Sequence, residues 1–373
     1  MSEVLIIGGG PAGAAAALCL RKAGVDVGIV ERADFPRHRP GETLHPGIEP
    51  LLHRLGVDGI LHHSGYLRQA GIWSAWGEAA RFVAYGEDAA GPWRGFQVPR
   101  QDFDEALLAS AIRHGARLFR ADARGILRGP GGAITGLKTA SGSLEARCVL
   151  DCGGGSHALA RMLDIPLEPH SPRLIARYGY VRGRLDMATP QIHSDRCGWT
   201  WLAEVEPGRF HWTRVTEARD RRPADWLPAC FSGMEVEASR GADVSWRIAQ
   251  AVAGPGWYMC GDAAAVLDPS SSHGVLRAVM TAMMAAHLCI RQLRQHASPA
   301  ACAADYRAWL SAWFTHDTDA MRRAYRAVDL FGFGASAVSR DHTPAQTDCR
   351  TQVPGSTRNM RGARATPLSR AVS

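Results

Sequence analysis

The sequence predicts an α/β protein in which a parallel sheet flanked by helices carries an inserted antiparallel sheet and ends in further helices. Three observations predict this class. An apolar run, a glycine-rich turn and an Ala-rich helical stretch open the chain over residues 3–23. Residues 65–96 and 174–215 alternate apolar and polar positions and contain many aromatic side chains, as half-buried antiparallel strands do. Helical patterns return at 274–296 and 300–331.

The N-terminal segment has the pattern of a dinucleotide-binding site. A predicted strand at 4–7 is followed by the turn Gly8-Gly9-Gly10-Pro11-Ala12-Gly13. Gly8 permits a tight turn, Gly10 lets the backbone approach a pyrophosphate, and Gly13 lets helix and strand pack closely. The start of the helix offers unpaired N–H groups to phosphates. A second predicted strand ends on Glu31, whose carboxylate can accept the ribose hydroxyls. We therefore expect an adenine dinucleotide here.

Composition is that of an ordinary soluble globular protein, with 373 residues, 46% hydrophobic and 21% charged. The first strand begins at residue 3, so we expect no signal peptide. The longest apolar stretch, 278–290, is too short to span a bilayer and is expected to be a buried core helix. Nine cysteines occur without a C-x-x-C pair, which predicts no metal site and fits a reducing cytoplasm.

The net charge of +7 does not predict a nucleic-acid partner. A nucleic-acid-binding protein concentrates its basic residues in a stripe or patch. The basic residues of this chain, nearly all of them arginine, are scattered along it. We expect no nucleic acid, and the sequence does not predict an oligomeric state.

The domain organisation is predicted to be discontinuous. We expect a dinucleotide-binding domain at 1–64, 97–170 and 250–296, and an antiparallel β substrate domain at 65–96 and 171–249. C-terminal helices are expected at 297–335. Residues 336–373 have the Ser-, Thr-, Pro- and Arg-rich composition of a disordered tail.

A second cluster of motifs lies in the later part of the chain. A predicted strand ends on small residues and Asp262, whose carboxylate could bind sugar hydroxyls. Residues 268–275 then open a long helix, whose N-terminus can stabilise an anion. A capped helix after a turn would explain this pair alone, but not its presence with the N-terminal fingerprint.

Together these motifs resemble those of FAD-dependent monooxygenases of the p-hydroxybenzoate hydroxylase fold, and the nearer branch holds flavin-dependent halogenases and geranylgeranyl reductases. The resemblance covers about residues 3–290. Its motifs are the 8–13 turn with Glu31, the run 35–46, the segment 151–157 with Arg161, the segment 261–274, and Val98-Pro99-Arg100 with Phe103-Asp104. It implies a Rossmann-like FAD-binding domain of the glutathione-reductase-2 type with an inserted β-sheet substrate domain.

The resemblance also implies roles for individual residues. Glu31 would hold the adenosine ribose, and Arg39 and Arg100 would lie against the pyrophosphate or ribityl chain. Asp262 would bind the ribityl and pyrophosphate region. The helix at Gly274 would direct its positive end at flavin N1 and the C2 carbonyl. The full set of expected FAD contacts is Gly8, Gly10, Pro11, Ala12, Gly13, Glu31, Arg32, Arg39, Arg100, Asp262, Gly274 and Val275.

Two departures from the halogenase pattern favour another reaction. Halogenases resemble one another in a lysine that carries the hypohalous species, and Gln69 stands where that lysine is expected. Lys22 and Lys138 are the lysines of the chain, and neither is placed to substitute. The halogenase Trp-x-Trp-x-Ile-Pro motif is kept only in its tryptophans, Trp199 and Trp201. The reductase branch needs a long apolar tunnel, which the polar and aromatic residues of the predicted sheet do not suit.

Hydroxylation of an electron-rich aromatic ring is therefore the expected reaction. Reduced FAD and O2 would give a flavin C4a-hydroperoxide, with electrons from NAD(P)H or from reduced flavin supplied by a partner reductase. His45 and His273 are the candidate catalytic residues, with His211 a further candidate proton carrier. Trp199, Trp201 and His211 are the expected substrate-pocket residues.

Within the branch, the run 40–46 and the compact length are most similar to flavoproteins that mature tryptophylquinone cofactors, as in quinohemoprotein amine dehydrogenase biogenesis. The substrate implied is a tryptophan side chain of a partner polypeptide. A halogenase, a geranylgeranyl-reductase-like enzyme and a non-catalytic FAD-binding scaffold stay open as alternatives.

Overall fold

The computed structural model describes residues 2–62, 65–220, 222–223 and 225–333. The predicted tail at 336–373 lies outside the described residues. The helices are α1 Pro11–Lys22, α2 Ile48–Leu55, α3 Arg100–Arg113, α4 Ala158–Met162, α5 Gly274–Gln295 and α6 Pro299–Ala327. Short 3-10 turns lie at Asp58–Leu61, Pro130–Gly132, Gly154–Ser156, Ala229–Phe231, Gly261–Ala263 and Pro269–Ser271.

The strands are, in chain order, β1 Val4–Ile7, β2 Val27–Glu31, β3 Thr43–Leu44, β4 Leu67–Gln69, β5 Gly71–Ala75, β6 Arg81–Ala84, β7 Glu87–Asp88, β8 Gly91–Pro92, β9 Gly95–Gln97, β10 Arg117–Arg120, β11 Ala123–Arg128, β12 Ile134–Thr139, β13 Gly142–Glu145, β14 Cys148–Asp151, β15 Leu167–Pro169, β16 Leu174–Arg182, β17 Gln191–Asp195, β18 Gly198–Glu206, β19 Arg209–Glu217, β20 Glu235–Val236, β21 Arg240–Asp243, β22 Arg247–Ala249, β23 Ala253–Gly254, β24 Trp257–Met259 and β25 Ala265–Val266.

A six-stranded sheet in the order β10-β2-β1-β14-β24-β23 forms the centre of the fold. All its pairs are parallel except the edge pair β23–β24. Strands β1, β2 and β14 are buried along their whole length, as their apolar sequences require between two layers of helix. Ile7 lies beside Val30 and Asp151 in register, so the carboxyl ends of all three strands meet at one edge. This edge is where ligands bind in open α/β sheets.

Helices α1 and α5 pack together against this sheet. Small side chains allow the close approach, because Ala14 to Ala17 on α1 and Ala282, Ala285 and Ala286 on α5 are fully buried. By length and composition, α5 is the one helix among the described residues that could cross a membrane. It contacts α1, α2 and α6 and contributes many side chains to the core, which confirms the prediction of a core helix at 278–290.

An eight-stranded sheet, called here the inserted sheet, has the order β20-β16-β19-β18-β17-β5-β6, with β21 also paired to β16. Strands β5 and β6 come from the first predicted insertion and the others from the second, so the prediction of one sheet built from two insertions is confirmed. One part of that prediction was wrong, because β5 runs parallel to β17. Alternation of apolar residues reports which face is buried and carries no information on strand direction.

The two faces of the inserted sheet differ in what they cover. Cross-strand register places one set of side chains on the face toward the six-stranded sheet, called here the inner face. Its members are Ala176, Tyr178, Tyr180, Trp199, Trp201, Ala203, His211, Thr213 and Val215. The outer face carries Leu202, Phe210 and Trp212, which pack with Phe231 in a separate small core. The inner face therefore combines aromatic rings with a histidine and a threonine above the ligand-binding edge.

The remaining strands form small sheets around this frame, namely β11-β12-β13, β15-β22-β25, β3-β9-β4 and β7-β8. Helix α3 begins at Arg100, directly after Pro99, whose fixed φ sets the entry of the chain into the helix. The division of the chain into domains stays a prediction.

Candidate functional site

A cavity of about 610 Å³ separates the carboxyl ends of the parallel strands from the inner face of the inserted sheet. This volume lies in the range of ligand-binding pockets. The predicted site residues line it, except Gly13, His45 and His273. Those that do are Gly8, Gly10, Pro11, Ala12, Glu31, Arg32, Arg39, Arg100, Trp199, Trp201, His211, Asp262, Gly274 and Val275.

The glycine turn has the close packing that its sequence predicts. Gly8 has a φ of +93°, and a Cβ there would lie 2.6 Å from the carbonyl oxygen of Cys152. A Cβ on Gly13 would lie 1.9 Å from the carbonyl oxygen of Gly8. Gly13 thus acts from behind the cavity wall, by letting α1 start directly against β1. The N-terminus of α1 is left open toward the cavity.

Glu31 stands at the end of β2 with its carboxylate held in place. Its Oε2 accepts a hydrogen bond of 2.8 Å from the Gly9 amide, and its Oε1 accepts one of 2.8 Å from the Ala33 amide. A carboxylate has about four acceptor sites, so two remain for hydroxyl groups in the cavity. This arrangement suits a ribose diol at the predicted position.

Arg37 is a site residue that the sequence analysis did not assign, although it lies in the motif at 35–46. Its Nη2 lies 2.9 Å from the position of a Cβ on Gly10, and its guanidinium lies 4.6 Å from the centre of the Phe35 ring. Its Nε is buried without a hydrogen-bond partner among the described residues. A half-buried arginine whose Nε lacks a partner, placed at the start of α1, can bind a pyrophosphate.

The two arginines that were predicted to contact the cofactor differ in their exposure and in their hydrogen bonds. Arg39 is exposed at the cavity wall. Arg100 is engaged through Nε and Nη2 with the Asp104 carboxylate, at 2.9 and 3.1 Å, and donates from Nη1 to the carbonyl oxygen of Pro40 at 3.1 Å. Arg100 therefore anchors the loop before β3 and has fewer hydrogens left for a ligand.

Asp262 projects into the cavity from the turn Gly261–Ala263. The turn packs on α5, because the Gly261 amide donates to Thr281 Oγ1 at 2.8 Å. The surface of Asp262 is open to the cavity, while the surrounding walls shield it from bulk water. This desolvation raises the pKa of Asp262, against the opposing charges of Arg277 and Arg100. A hydrogen-bonding ligand inside the cavity would satisfy this carboxylate.

The donors and acceptors around the cavity fit FAD. A cation and a helix N-terminus lie where a pyrophosphate would bind, and carboxylates stand on two sides for sugar and ribityl hydroxyls. The FAD binding domain family matches residues 1–222 of the chain. The chain belongs to this family. FAD is its cofactor, and the predicted Rossmann-like FAD-binding fold with an inserted sheet and C-terminal helices is confirmed.

Several curated relatives of this FAD-binding chain are flavin-dependent halogenases. It is 27% identical over 323 residues to a tryptophan 2-halogenase of Chondromyces crocatus, covering 76% of this chain and 60% of that relative's length. It is 26% identical to a 1H-pyrrole-2-carbonyl-[peptidyl-carrier protein] brominase of Pseudoalteromonas luteoviolacea, covering 76% of each. A menaquinone reductase of Mycobacterium tuberculosis is also 26% identical, covering 77% of this chain and 76% of the relative.

A solved structure of the flavin-dependent brominase Bmp2 superimposes on the chain with a TM-score of 0.78 and 21% identity, covering 88% of both chains. At this identity the likeness shows the shared fold. The chain is therefore placed in the FAD-dependent monooxygenase and halogenase superfamily.

A buried amide occupies the position at which the sequence predicts the halogenase lysine. Gln69 ends β4 with 5% of its surface exposed, and its Nε2 lies 2.9 Å from the position of a Cβ on Gly95. Lys22 and Lys138 are absent from the cavity wall. Lys22 is at the far end of α1, where its Nζ donates to the carbonyl oxygen of Arg54 at 3.0 Å. The chain therefore has no lysine at its site.

The two predicted catalytic histidines pack edge to face against each other outside the cavity wall. The rings of His45 and His273 lie 4.8 Å apart, and the ring of Tyr85 lies 5.3 Å from that of His45. Burial lowers the pKa of His45 and lowers that of His273 to about 3. Both imidazoles are therefore neutral at neutral pH, and their catalytic role stays a prediction.

Glu42 joins the inner face of the inserted sheet to the cofactor-binding loop. The Tyr180 hydroxyl donates to Oε1 of Glu42, and the Gly41 amide donates to Oε2 at 2.9 Å. His211 Nδ1 lies 3.7 Å from the same Oε2. Glu42 belongs to the motif at 35–46, but the sequence predicts no role for it, because its partners are distant in the sequence.

Proposed function

We propose that this chain is an FAD-dependent enzyme that uses reduced flavin and O2 to modify an electron-rich aromatic ring. The observation that carries the proposal is the composition of one cavity. The FAD-binding motifs form one wall, and the aromatic inner face, with Trp199, Trp201 and Tyr178, forms the other. A ligand ring in this cavity would therefore lie between the cofactor site and aromatic side chains.

The residues of the chain would bind and orient the cofactor and would shield the substrate ring from water. Bound FAD would supply the electrons that activate O2. Glu31, Arg37 and Asp262 would hold the cofactor through its sugar, pyrophosphate and ribityl groups. The N-terminus of α5 opens onto the cavity at Gly274 and would favour negative charge there. Trp199 and Trp201 would exclude water from the ring.

Halogenation is the first candidate for the reaction. The names of the tryptophan 2-halogenase and the pyrrole brominase support a halogen transfer to an aromatic ring more than they support hydroxylation. The sequence alone favours hydroxylation, so these relatives reverse the order of the two reactions. None of these relatives supports a tryptophan in a partner protein or tryptophylquinone biogenesis, so the proposal leaves them out.

Hydroxylation is the second candidate, and Gln69 is the observation that favours it. The amide nitrogen of glutamine is not a nucleophile, so it cannot carry a halogen as an amine does. A halogenase built on this chain would have to transfer halogen without a lysine. The source of electrons, NAD(P)H or a partner reductase, stays a prediction, as does a cytoplasmic location.

The two candidates are separated by one product analysis. FAD-loaded protein would be given a flavin reductase, NADH, O2 and bromide, with phenol, indole and pyrrole as probe substrates, and the products examined by mass spectrometry. Halogenation predicts the isotope doublet of bromine, and hydroxylation predicts an added oxygen atom. A Gln69→Lys variant should raise the brominated fraction if the amide limits halogen transfer. Oxygen consumption that no aromatic probe changes would contradict the proposal.

A further inference from the structure

The inner face of the inserted sheet places one histidine on the cavity wall among the described residues, and it is His211. Its side chain is 6% exposed. The ring lies 5.0 Å from that of Tyr180 and 6.3 Å from that of Tyr178, and Nε2 lies 3.3 Å from Thr213 Oγ1. Thr213 also lines the cavity. The Nε2 edge of the imidazole is therefore the edge beside the cavity hydroxyl of Thr213.

The other edge of the imidazole faces a fixed carboxylate. Nδ1 of His211 lies 3.7 Å from Glu42 Oε2, and that carboxylate is 5% exposed. Glu42 cannot easily turn away, because Tyr180 and the Gly41 amide each donate to one of its oxygens. A histidine with one edge toward a held carboxylate and the other toward a cavity is arranged as a general base.

Burial keeps the His211 imidazole neutral until it receives a proton. Burial lowers the pKa of His211, Glu42 opposes this shift, and Arg209 and His38 add to it. The Arg209 guanidinium is itself paired with Glu206 at 2.8 Å and with Glu237 at 3.0 and 2.9 Å. Glu42 is thus the carboxylate left to stabilise an imidazolium at His211.

We propose that His211, supported by Glu42, is the base of this site and that the substrate is a phenol. The inference rests on the proposed function and names its substrate class. The phenolic O–H bond breaks, its electron pair stays on the oxygen, and the proton moves to Nε2 of His211. The imidazolium formed then faces Glu42 through Nδ1. Nothing is oxidised or reduced in this step, and the phenolate ring is richer in electrons for attack by an electrophile.

A phenol suits this base better than an indole or a pyrrole. A phenolic hydroxyl has a pKa of about 10, a few units above that of an unperturbed imidazolium, and the burial of His211 widens this gap. The N–H groups of indole and pyrrole are far weaker acids, so a histidine could not ionise them. Thr213 would donate to the phenolate oxygen beside Nε2.

The experiment uses 4-nitrophenol, whose phenolate absorbs visible light, as a probe with the FAD-loaded protein. Difference spectra would be recorded below the pKa of the free probe for the native chain, His211→Gln and Glu42→Gln. We expect the native site to ionise the bound probe and the ratio of phenolate to phenol to fall at least tenfold in His211→Gln. A smaller fall is expected in Glu42→Gln. FAD content and thermal melting of each variant establish that it is folded.

The matched control is His193→Gln, on the same sheet. His193 lies opposite Thr200 on the outer face, away from the cavity. The His193→Gln variant should therefore ionise the probe to the same extent as the native chain. An equal phenolate fraction in the native chain and His211→Gln, or failure of the native site to bind or ionise the probe, would overturn the inference.

Failure of the inference about His211 can be distinguished from failure of the proposed enzyme activity. His211-dependent ionisation without oxygen-dependent turnover of any phenol would retain the base and remove the enzyme activity. Turnover of phenols at equal rates in the native chain and His211→Gln, with no ionisation of the probe, would retain the enzyme activity and remove the base.

Discussion

At the scale of single residues, the cofactor site depends on a glycine that lacks a side chain as much as on the side chains that are present. Gly13 meets the carbonyl oxygen of Gly8 so closely that a methyl group would lie 1.9 Å from it. Both partners are backbone, so neither can rotate away. Packing between α1 and the turn therefore restricts position 13 to glycine, whether or not a ligand is bound.

Gly13→Ala should destabilise the chain by about 3 kcal/mol or more, because relieving the overlap requires α1 to move away from β1. Urea denaturation measures this loss. Gly59→Ala is the control, since a Cβ at Gly59 meets nothing within 4 Å. Equal stability of the two variants would show that α1 is free to shift.

Glu31→Gln should weaken FAD binding by about tenfold to a hundredfold, because a neutral amide replaces a charged acceptor of hydroxyl groups. Fluorescence titration with FAD gives the dissociation constant. Glu49→Gln is a surface control, as Glu49 is 44% exposed. Unchanged affinity in Glu31→Gln would place the adenosine ribose elsewhere.

At the scale of elements, the start of α5 is held by its neighbours from several directions. Asp268, just before α5, accepts from Trp246 Nε1 at 2.5 Å and from the Tyr325 hydroxyl at 2.8 Å. Tyr325 in turn accepts from Trp199 Nε1 at 2.9 Å. Helix α6 thereby ties a tryptophan of the inner face to the loop that leads into α5.

The edge-to-face pair His45–His273 makes the stability of this region sensitive to acid. Burial lowers the pKa of His273 to about 3, whereas an unfolded histidine titrates near 6.5. The unfolded chain therefore binds more protons between these values, and the folded state loses stability as the pH falls from about 6.5 toward 3.

His273→Gln should reduce this acid sensitivity. About 3 kcal/mol of the decline between pH 6.5 and 4 is expected to disappear from the difference in unfolding free energy, at 1.36 kcal/mol per pKa unit. Denaturant melts of both proteins at several pH values measure it. An identical pH profile for the two would mean that His273 is protonated in the folded state without cost.

At the scale of the whole molecule, the sequence predicted what is local and missed what is brought together by the fold. The β1–α1–β2 unit was predictable because its strand, turn and helix signals lie within a single short segment. The contact of Glu42 with Tyr180 and His211 was not, because it depends on how the inserted sheet lies over the first motif. The position of Gln69 in a motif was evident from the sequence, but its burial is evident only from the structure.

The predicted catalytic histidines show the same limit. His45 and His273 were chosen for their places in motifs that resemble those of a known family. The structure brings their rings into edge-to-face contact outside the cavity wall, and it is His211 that lies on that wall. Motif position locates a segment near a site and does not determine which of its side chains face the ligand.

The central claim is that distant parts of the chain converge on a single FAD. Hydrogen–deuterium exchange with and without FAD tests it most directly. If they converge, FAD addition should slow exchange in four separate segments, residues 8–14, 31–43, 151–157 and 261–277. Protection confined to the first segment, or to none of them, would contradict it.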